Sequence, residues 1–229
     1  MQGFNWSPDN YQKYVEATEF PMLRDYEEAE IESIKAIKNP KEKTFVDVGA
    51  GYGRVLPVLS RLAKNVIAIE IDQNMFGDLE QKVSSLSNIQ IVKGDANNLA
   101  ELVSDQDLTQ PVLLCLQNSI GTWIGDYKTM LAQMRKIAQS HGGEAVLSSF
   151  RQEAFAEFAI PMYTSAAKLV GEPDIEKCDV AKGLFVSKTG YTSRWWTKEE
   201  REEMKQILGG HLVHEISDQP YFIFHIKYS

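Results

Sequence analysis

The sequence predicts an α/β fold: a doubly wound, mostly parallel sheet of seven strands with an antiparallel last strand. Three observations carry this. Short apolar runs alternate with helical patterns from residue 43 to 150, and a glycine-rich turn joins the first strand to the first helix of that alternation. The chain then closes on two alternating runs, 211–216 and 221–228, which Ser217-Asp-Gln-Pro220 joins as a hairpin.

Residues 1–42 read as an N-terminal helical arm. Ser7-Pro-Asp9 is placed to cap a helix near 10–19, Pro21 interrupts, and a second helix is expected over 24–38 before Asn39-Pro40 ends it. The arm is rich in aromatics: Phe4, Trp6, Tyr11, Tyr14, Phe20 and Tyr26. Over 43–150 the strands fall at 44–48, 66–71, 89–93, 111–116 and 144–150, with helices over 53–63, 73–85, 97–103 and 125–139. His141-Gly-Gly143 is a helix stop before the fifth strand. Residues 151–196 break the rhythm with Pro161, Gly171-Glu-Pro173 and Gly183, then two short runs separated at Gly190; they read as a helix and β-hairpin cap inserted after that strand. Residues 197–229 resume the core: Thr197-Lys-Glu-Glu200 has capping-box character, its helix stops at Gly209-Gly210, and the terminal hairpin follows.

Composition narrows the function. With 229 residues, 43% of them hydrophobic, the chain suffices for one full core. No apolar run nears the roughly 20 residues that cross a bilayer, and the first residues lack a basic segment followed by an apolar one. Two cysteines, Cys115 in a core strand and Cys178 in a loop, form no disulfide framework or metal pattern, so a cytoplasmic protein without a metal is expected. Lysine and arginine number 24 against 32 acids, a net charge of −8 with no conspicuous basic cluster. Nucleic acid, which demands such clusters, is disfavoured as a partner, and a small molecule is favoured.

The chemistry is concentrated in Thr44-Phe-Val-Asp-Val-Gly-Ala-Gly-Tyr-Gly-Arg54. A dinucleotide fingerprint places its third glycine three residues after the second. Here that place holds Arg54 and the glycine comes one residue early, at Gly53, with Asp47 two residues before Gly49. The second strand ends in Glu70, 19 residues after Gly51; the third runs into Gly94-Asp95-Ala96; the fourth stops at Gln117-Asn118. An acid about 20 residues beyond the glycines is placed to bond ribose hydroxyls.

The pattern D-x-G-x-G-x-G, followed in order by Glu70, Asp95 and Gln117-Asn118, resembles the class I S-adenosylmethionine-dependent methyltransferases, over 43–150 by motif and over 197–229 by topology. The resemblance implies S-adenosylmethionine as cofactor and S-adenosylhomocysteine as product. It implies that Gly49, Ala50, Gly51 and Gly53 pass under the methionine moiety and that Asp47 takes its amino group. Glu70 would accept both ribose hydroxyls, with Asp72 as its rival, and Ile71 would flank the adenine, with Met75 at its edge or in the core. Asp95 would accept from the adenine amino group, and the Ala96 amide would donate to the ring. Gln117 and Asn118 would face the transferring methyl, Asn118 being the one weak catalytic candidate. Leu116-Gln-Asn-Ser119 replaces the Asn-Pro-Pro-Tyr type motif of many amino-group methylators of nucleic bases.

The acceptor side must come from the arm and the cap, which flank the carboxyl ends of the strands. Tyr11, Tyr14 and Arg24 on the arm, with Tyr163, Arg194, Trp195 and Trp196 on the cap, are the candidates; Arg24 has rival uses as a surface ion pair with Glu27 or Glu28, or as the holder of the cofactor carboxylate. His141, His211, His214 and His225 lie away from the expected site. The expected function is methyl transfer, in line, to a nitrogen or oxygen of a small acceptor. A protein or RNA methyltransferase and a non-catalytic cofactor- or partner-binding module are the rivals. The oligomeric state, monomer or homodimer, stays open.

Overall fold

A computed structural model describes Gln12 and residues 20–229; apart from Gln12, the helix expected over 10–19, with Tyr11 and Tyr14, lies outside the described residues. Seven strands form one sheet: β1 (Thr44–Val48), β2 (Asn65–Glu70), β3 (Ile89–Lys93), β4 (Val112–Cys115), β5 (Glu144–Phe150), β8 (His211–Ile216) and β9 (Tyr221–Lys227). Their spatial order is β3-β2-β1-β4-β5-β9-β8. β1 to β5 pair in parallel, and β9 runs antiparallel between β5 and β8. The order reverses between β1 and β4, the topological switch point at which open α/β sheets bind ligands.

Strand parity sorts the core into two layers. Phe45, Val66, Ala68, Val112, Leu114 and Val146 face one side, packed with Tyr26 and Ile34 of α1 (Pro21–Lys35), Leu56 and Leu59 of α2 (Leu56–Leu62) and Leu79 of α3 (Gln73–Val83). Val46, Val48, Ile67, Leu113 and Leu147 face the other. They pack with Leu99 of the short α4 (Leu99–Leu102), Met130 and Met134 of α5 (Tyr127–Ser140) and Met204 of α8 (Lys198–Leu208). Every residue of β1 and β5 is buried, which is why those strands read as near-continuous apolar runs.

Element boundaries depart from expectation where the backbone forces them. α1 starts at Pro21 rather than residue 24, because proline supplies the φ of a first helical position and that position needs no N–H partner. α2 starts at Leu56 rather than 53: Gly53 takes φ +82°, incompatible with a helix, so the turn runs on through Val55. The helix expected over 97–103 is a 3₁₀ turn, Ala96–Asn98, followed by α4.

The cap comprises a π turn over Phe155–Ala159, the short helices α6 (Ile160–Ser165) and α7 (Ala167–Val170), and a hairpin of β6 (Leu184–Val186) with β7 (Thr192–Arg194). Pro161 falls in the first turn of α6, where it is tolerated. Trp195 is fully buried between Phe150, stacked at 4.4 Å, and the edge of Phe155 at 5.7 Å. The next residue, Trp196, donates its backbone N–H to the Phe150 carbonyl. Thr197 then caps α8 reciprocally with Glu200.

Candidate cofactor and acceptor site

β1 ends in a turn whose three glycines, Gly49, Gly51 and Gly53, all have positive φ (+80°, +57° and +82°). Gly53 and Gly51 differ in what surrounds them. A Cβ on Gly53 would come 2.6 Å from Leu79, so this glycine lets the turn pack on α3. A Cβ on Gly51 would meet nothing within 4 Å, leaving open space over the turn. The loop is anchored on β2, whose Ile69 carbonyl accepts both the Gly49 and Ala50 N–H groups.

Beneath the loop lies Asp47, 3% exposed, and its Oδ2 has no hydrogen-bond partner among the described residues. Burial pushes its carboxyl up from 3.8 to about 7. The Arg54 guanidinium opposes that rise, and the charges of Glu30 and Glu70 add to it. A buried carboxylate oxygen without a partner calls for an explanation. A cationic ammonium fits it on charge and hydrogen-bonding capacity alike, as the methionine end of S-adenosylmethionine would supply.

Glu70 closes β2 and is 7% exposed. Its Oε2 accepts the Gly51 N–H at 2.7 Å and its Oε1 the Asp72 N–H at 2.8 Å, so the acid is wired to the glycine loop. Burial raises its pKa, against the lowering by backbone bonds from Asp72, Gly51 and Ile71. Asp72, the rival, is committed elsewhere: its Oδ1 caps α3 by accepting from the N–H groups of Asn74 and Met75. Ile71 is 48% exposed, an apolar side chain held in the open beside Glu70, whereas Met75 is buried.

Asp95 is exposed and caps the 3₁₀ turn, its Oδ1 accepting from the backbone and side-chain N–H of Asn97. Ala96 is buried behind it. Asn97 also donates to the Ile124 carbonyl and accepts from the Trp123 indole, linking β3 to the loop after β4.

The end of β4 is the most constrained part of the site. Gln117 and Asn118 both take left-handed φ, +47° and +61°, a conformation asparagine tolerates better than glutamine. Asn118 does not present its amide to an open centre. Its Nδ2 donates to Ser193 Oγ of the cap at 2.9 Å and its Oδ1 accepts from Ser149 Oγ of β5 at 2.5 Å. This corrects the expectation of a methyl-facing catalytic side chain: both ends of the amide are occupied and the residue is 6% exposed. Gln117 is gripped from the arm instead. Its N–H donates to Glu30 Oε1 at 2.7 Å, its Nε2 to Glu27 Oε1 at 2.9 Å, and its Oε1 accepts from Arg54 Nε at 3.2 Å.

The acceptor candidates divide. Arg24 is exposed on α1, and Glu27, one of its two expected partners, instead faces Gln117 and Arg54. Tyr163 and Trp195 face the interior of the cap rather than an open site: Tyr163 stacks on Phe185 at 4.0 Å, its hydroxyl donates to Ser193 Oγ, and it accepts from the Trp195 indole. Stacked on Phe150 and fully buried, Trp195 has no exposed ring surface left to stack on an acceptor. Arg194 pairs with Glu200 and lies 5.1 Å over the Trp196 ring, whose indole donates to Ser149. Of the histidines, His225 bonds Glu144 at the opposite end of the sheet.

Sequence reasoning missed Glu30. It is fully buried on α1, paired with Arg54, and accepts from Gln117 and from the Ser148 hydroxyl. One signal was available: Leu23, Tyr26, Glu30, Ile34 and Ile37 fall on one helical stripe, and a glutamate within an apolar stripe needs a buried partner.

Residues 45–143 match the methyltransferase domain family. The chain is 35% identical over 68 residues to the ribosomal RNA small subunit methyltransferase A of Listeria monocytogenes; the match covers 29% of this chain and 23% of that protein's own length. An S-adenosylmethionine-dependent methyltransferase from Clostridium acetobutylicum superposes over 96% of both chains, with a TM-score of 0.62 at 14% identity. The 1,6-didemethyltoxoflavin-N1-methyltransferase of Burkholderia thailandensis superposes over 100% of this chain and 93% of its own, with a TM-score of 0.57 at 12% identity. The methyltransferase-domain match over 45–143 falls on a sheet ordered β3-β2-β1-β4-β5-β9-β8 with β9 reversed, the class I methyltransferase fold.

Proposed function

We propose that this protein transfers a methyl group, in line, from S-adenosylmethionine to a nitrogen or oxygen of a small-molecule acceptor. The observation that carries the cofactor half is Asp47, a buried carboxylate under an open glycine loop with one oxygen unpartnered. Asp47 takes the ammonium, Glu70 the ribose hydroxyls, and Asp95 with the Ala96 amide the adenine, which packs against Ile71. The cofactor brings an already activated methyl, so the protein's task is proximity and orientation, worth roughly 7–11 kcal/mol in well-ordered cases. Arg54, Gln117 and the arm hold that geometry.

A small acceptor is supported by the net charge of −8 and by how the cations near the site are used: Arg54 and Arg194 are paired with Glu30 and Glu200. Two cysteines that form no disulfide suit the reducing cytoplasm. Local similarity to ribosomal RNA methyltransferases favours a second reading, an RNA acceptor, over part of the core only.

Calorimetric titration with S-adenosylhomocysteine tests the first half, with NAD as control. Micromolar binding that Glu70→Ala abolishes is expected, with a melting shift equivalent to about 2.7 kcal/mol at 100 times the dissociation constant. Label transfer from S-adenosylmethionine is then expected to a member of a panel of small amines, hydroxyls and phenols. Transfer to ribosomal RNA alone would establish the second reading.

A further inference from the structure

The polar cluster behind the glycine loop joins three parts of the chain distant in sequence. Glu30 reaches in from α1, Arg54 from the turn before α2, and Gln117 from the end of β4. Glu30 is fully buried, yet its two oxygens are saturated: Oε2 pairs with Arg54, and Oε1 accepts both the Gln117 N–H and the Ser148 hydroxyl. Ser148 in turn accepts from the Tyr26 hydroxyl at 3.0 Å, one helical turn before Glu30. The ring of Tyr26 is stacked on Tyr221 at 4.7 Å, which fixes the helix on the sheet. Arg54 sets its positive charge against Glu30, Glu27 at 3.9 Å and Asp47.

Gln117 is the member that most needs holding. Its left-handed φ costs on the order of 1 kcal/mol or more for a residue other than glycine and persists only where its surroundings enforce it. Here the enforcement comes from α1: Glu30 takes the Gln117 N–H and Glu27 takes its side-chain amide. Ser119, two residues on, lies against the first glycine, its hydroxyl donating to the Gly49 carbonyl at 3.3 Å. The shape of the β4 turn is therefore passed to the glycine loop from both sides, through Arg54 and through Ser119.

We propose that Glu30 is a positioning residue for methyl transfer: it holds Arg54 and the Gln117 N–H so that the glycine loop and the β4 turn form one rigid cofactor seat. The proposal rests on the methyltransferase reading above. It assigns the arm helix a role in building the donor site, in addition to any part it plays on the acceptor side. Glutamine at position 30 has nearly the same shape, but an amide NH₂ would face the Arg54 guanidinium, donor against donor.

Two readouts on Glu30→Gln and Glu30→Asp test this, with Glu32→Gln, an exposed helix-surface pair with Lys35, as control. The first is S-adenosylhomocysteine affinity from pH 5.5 to 8.5. Asp47 is faced by Arg54, by Glu30 from α1, by Glu70 from β2 and by Cys115 from β4. With the Glu30 charge gone, Arg54 acts on Asp47 with less competition. Glu30→Gln is expected to weaken binding at pH 8 by at least about tenfold and to move the pH midpoint of binding below that of the wild type. The second readout is hydrogen exchange of the Gln117 amide in the protein without ligand, expected to speed up at least about tenfold in Glu30→Gln and to be partly restored in Glu30→Asp. Affinity within twofold of wild type with an unmoved midpoint and unchanged exchange would overturn the proposal. Loss of the folded circular dichroism spectrum in both variants would also overturn it, making Glu30 a stability residue. If wild-type protein binds no S-adenosylhomocysteine, the methyltransferase reading fails, while the exchange measurement still decides whether Glu30 positions Gln117.

Discussion

At Asp47, function and stability pull in opposite directions. Burial raises its carboxyl from 3.8 to about 7, so the folded protein holds a proton that the unfolded chain releases near pH 4. A raised folded-state pKa contributes stability that is fully present below pH 3.8 and lost as pH rises through about 7. Each pKa unit is worth about 1.4 kcal/mol, which makes the full effect a few kcal/mol. Asp47→Asn removes the ionisation. We expect its melting temperature relative to wild type to rise from pH 5 to about pH 7 and to level off by pH 8, while its affinity for S-adenosylhomocysteine at pH 8 falls at least about tenfold. A stability difference that stays flat across that range would show that Asp47 titrates as an ordinary carboxyl. On the proposed reading, a ligand ammonium pairing with the ionised form would return part of the lost stability.

At the scale of elements, the cap and the sheet meet through a few polar joints. Asn118 links β4 to Ser149 of β5 and to Ser193 of the cap, so that its two hydrogen bonds fasten three segments at once. Asn118→Ala leaves two buried hydroxyls short of a partner and places alanine at φ +61°. The expected loss is about 2–4 kcal/mol in urea denaturation, each unsatisfied group costing about 1–3. The capping box of α8 offers a contrast. Thr197 accepts from the Glu200 N–H at 3.3 Å and Glu200 accepts from the Thr197 N–H at 3.0 Å. Thr197→Ala should cost about 1 kcal/mol and leave S-adenosylhomocysteine affinity unchanged, since α8 packs on the opposite face of the sheet from α1. Comparable losses of ligand affinity in both variants would mean that the cap joint has no specific tie to the site.

Across the whole molecule, the two ends of the sheet carry separate buried polar groups. At the amino ends of the strands, Glu144 accepts from Lys43 at 2.9 Å and bonds His225 at 2.5 Å, and all three residues are buried. Burial alone would raise the Glu144 pKa. The hydrogen bonds from His225 and Lys43, with their charges, overcome it and hold the carboxyl at about 2. The sign here is the reverse of that at Asp47: the stability it contributes is present above pH 4.5 and lost as pH falls through about 2. Glu144→Gln leaves Lys43 buried without a countercharge. It should cost roughly 3–5 kcal/mol at pH 7 without altering ligand affinity, because the site lies at the other end of the strands. The two groups act in opposite senses, Glu144 losing stability toward acid and Asp47 toward neutral pH. Among the described residues, no helix is long and apolar enough to cross a membrane.

Local rules were enough to place β1, β3 and β5 at their observed bounds, the D-x-G-x-G-x-G turn, the acid at the end of β2 and the reversed terminal hairpin. Those features depend on strand periodicity, glycine backbone freedom and fixed spacing, all of which are written within a few residues. The starts of α1 and α2 differ from the expected ones for separate reasons: Pro21 suits a first helical position, and a left-handed Gly53 delays α2. What only the tertiary structure decided is who meets whom across long separations. Glu30 finds Gln117, 87 residues on, and Ser148, 118 residues on; Asn118 finds Ser193, 75 residues on. Side chains in such pairs carry no local periodicity, and a glutamate in an apolar stripe announces that a partner is needed without naming it. Trp195 is an acceptor-side candidate by sequence because an aromatic pair beside an arginine suits recognition and packing alike. Burial against Phe150 and Phe155 settled it, and burial is a property of the assembled core.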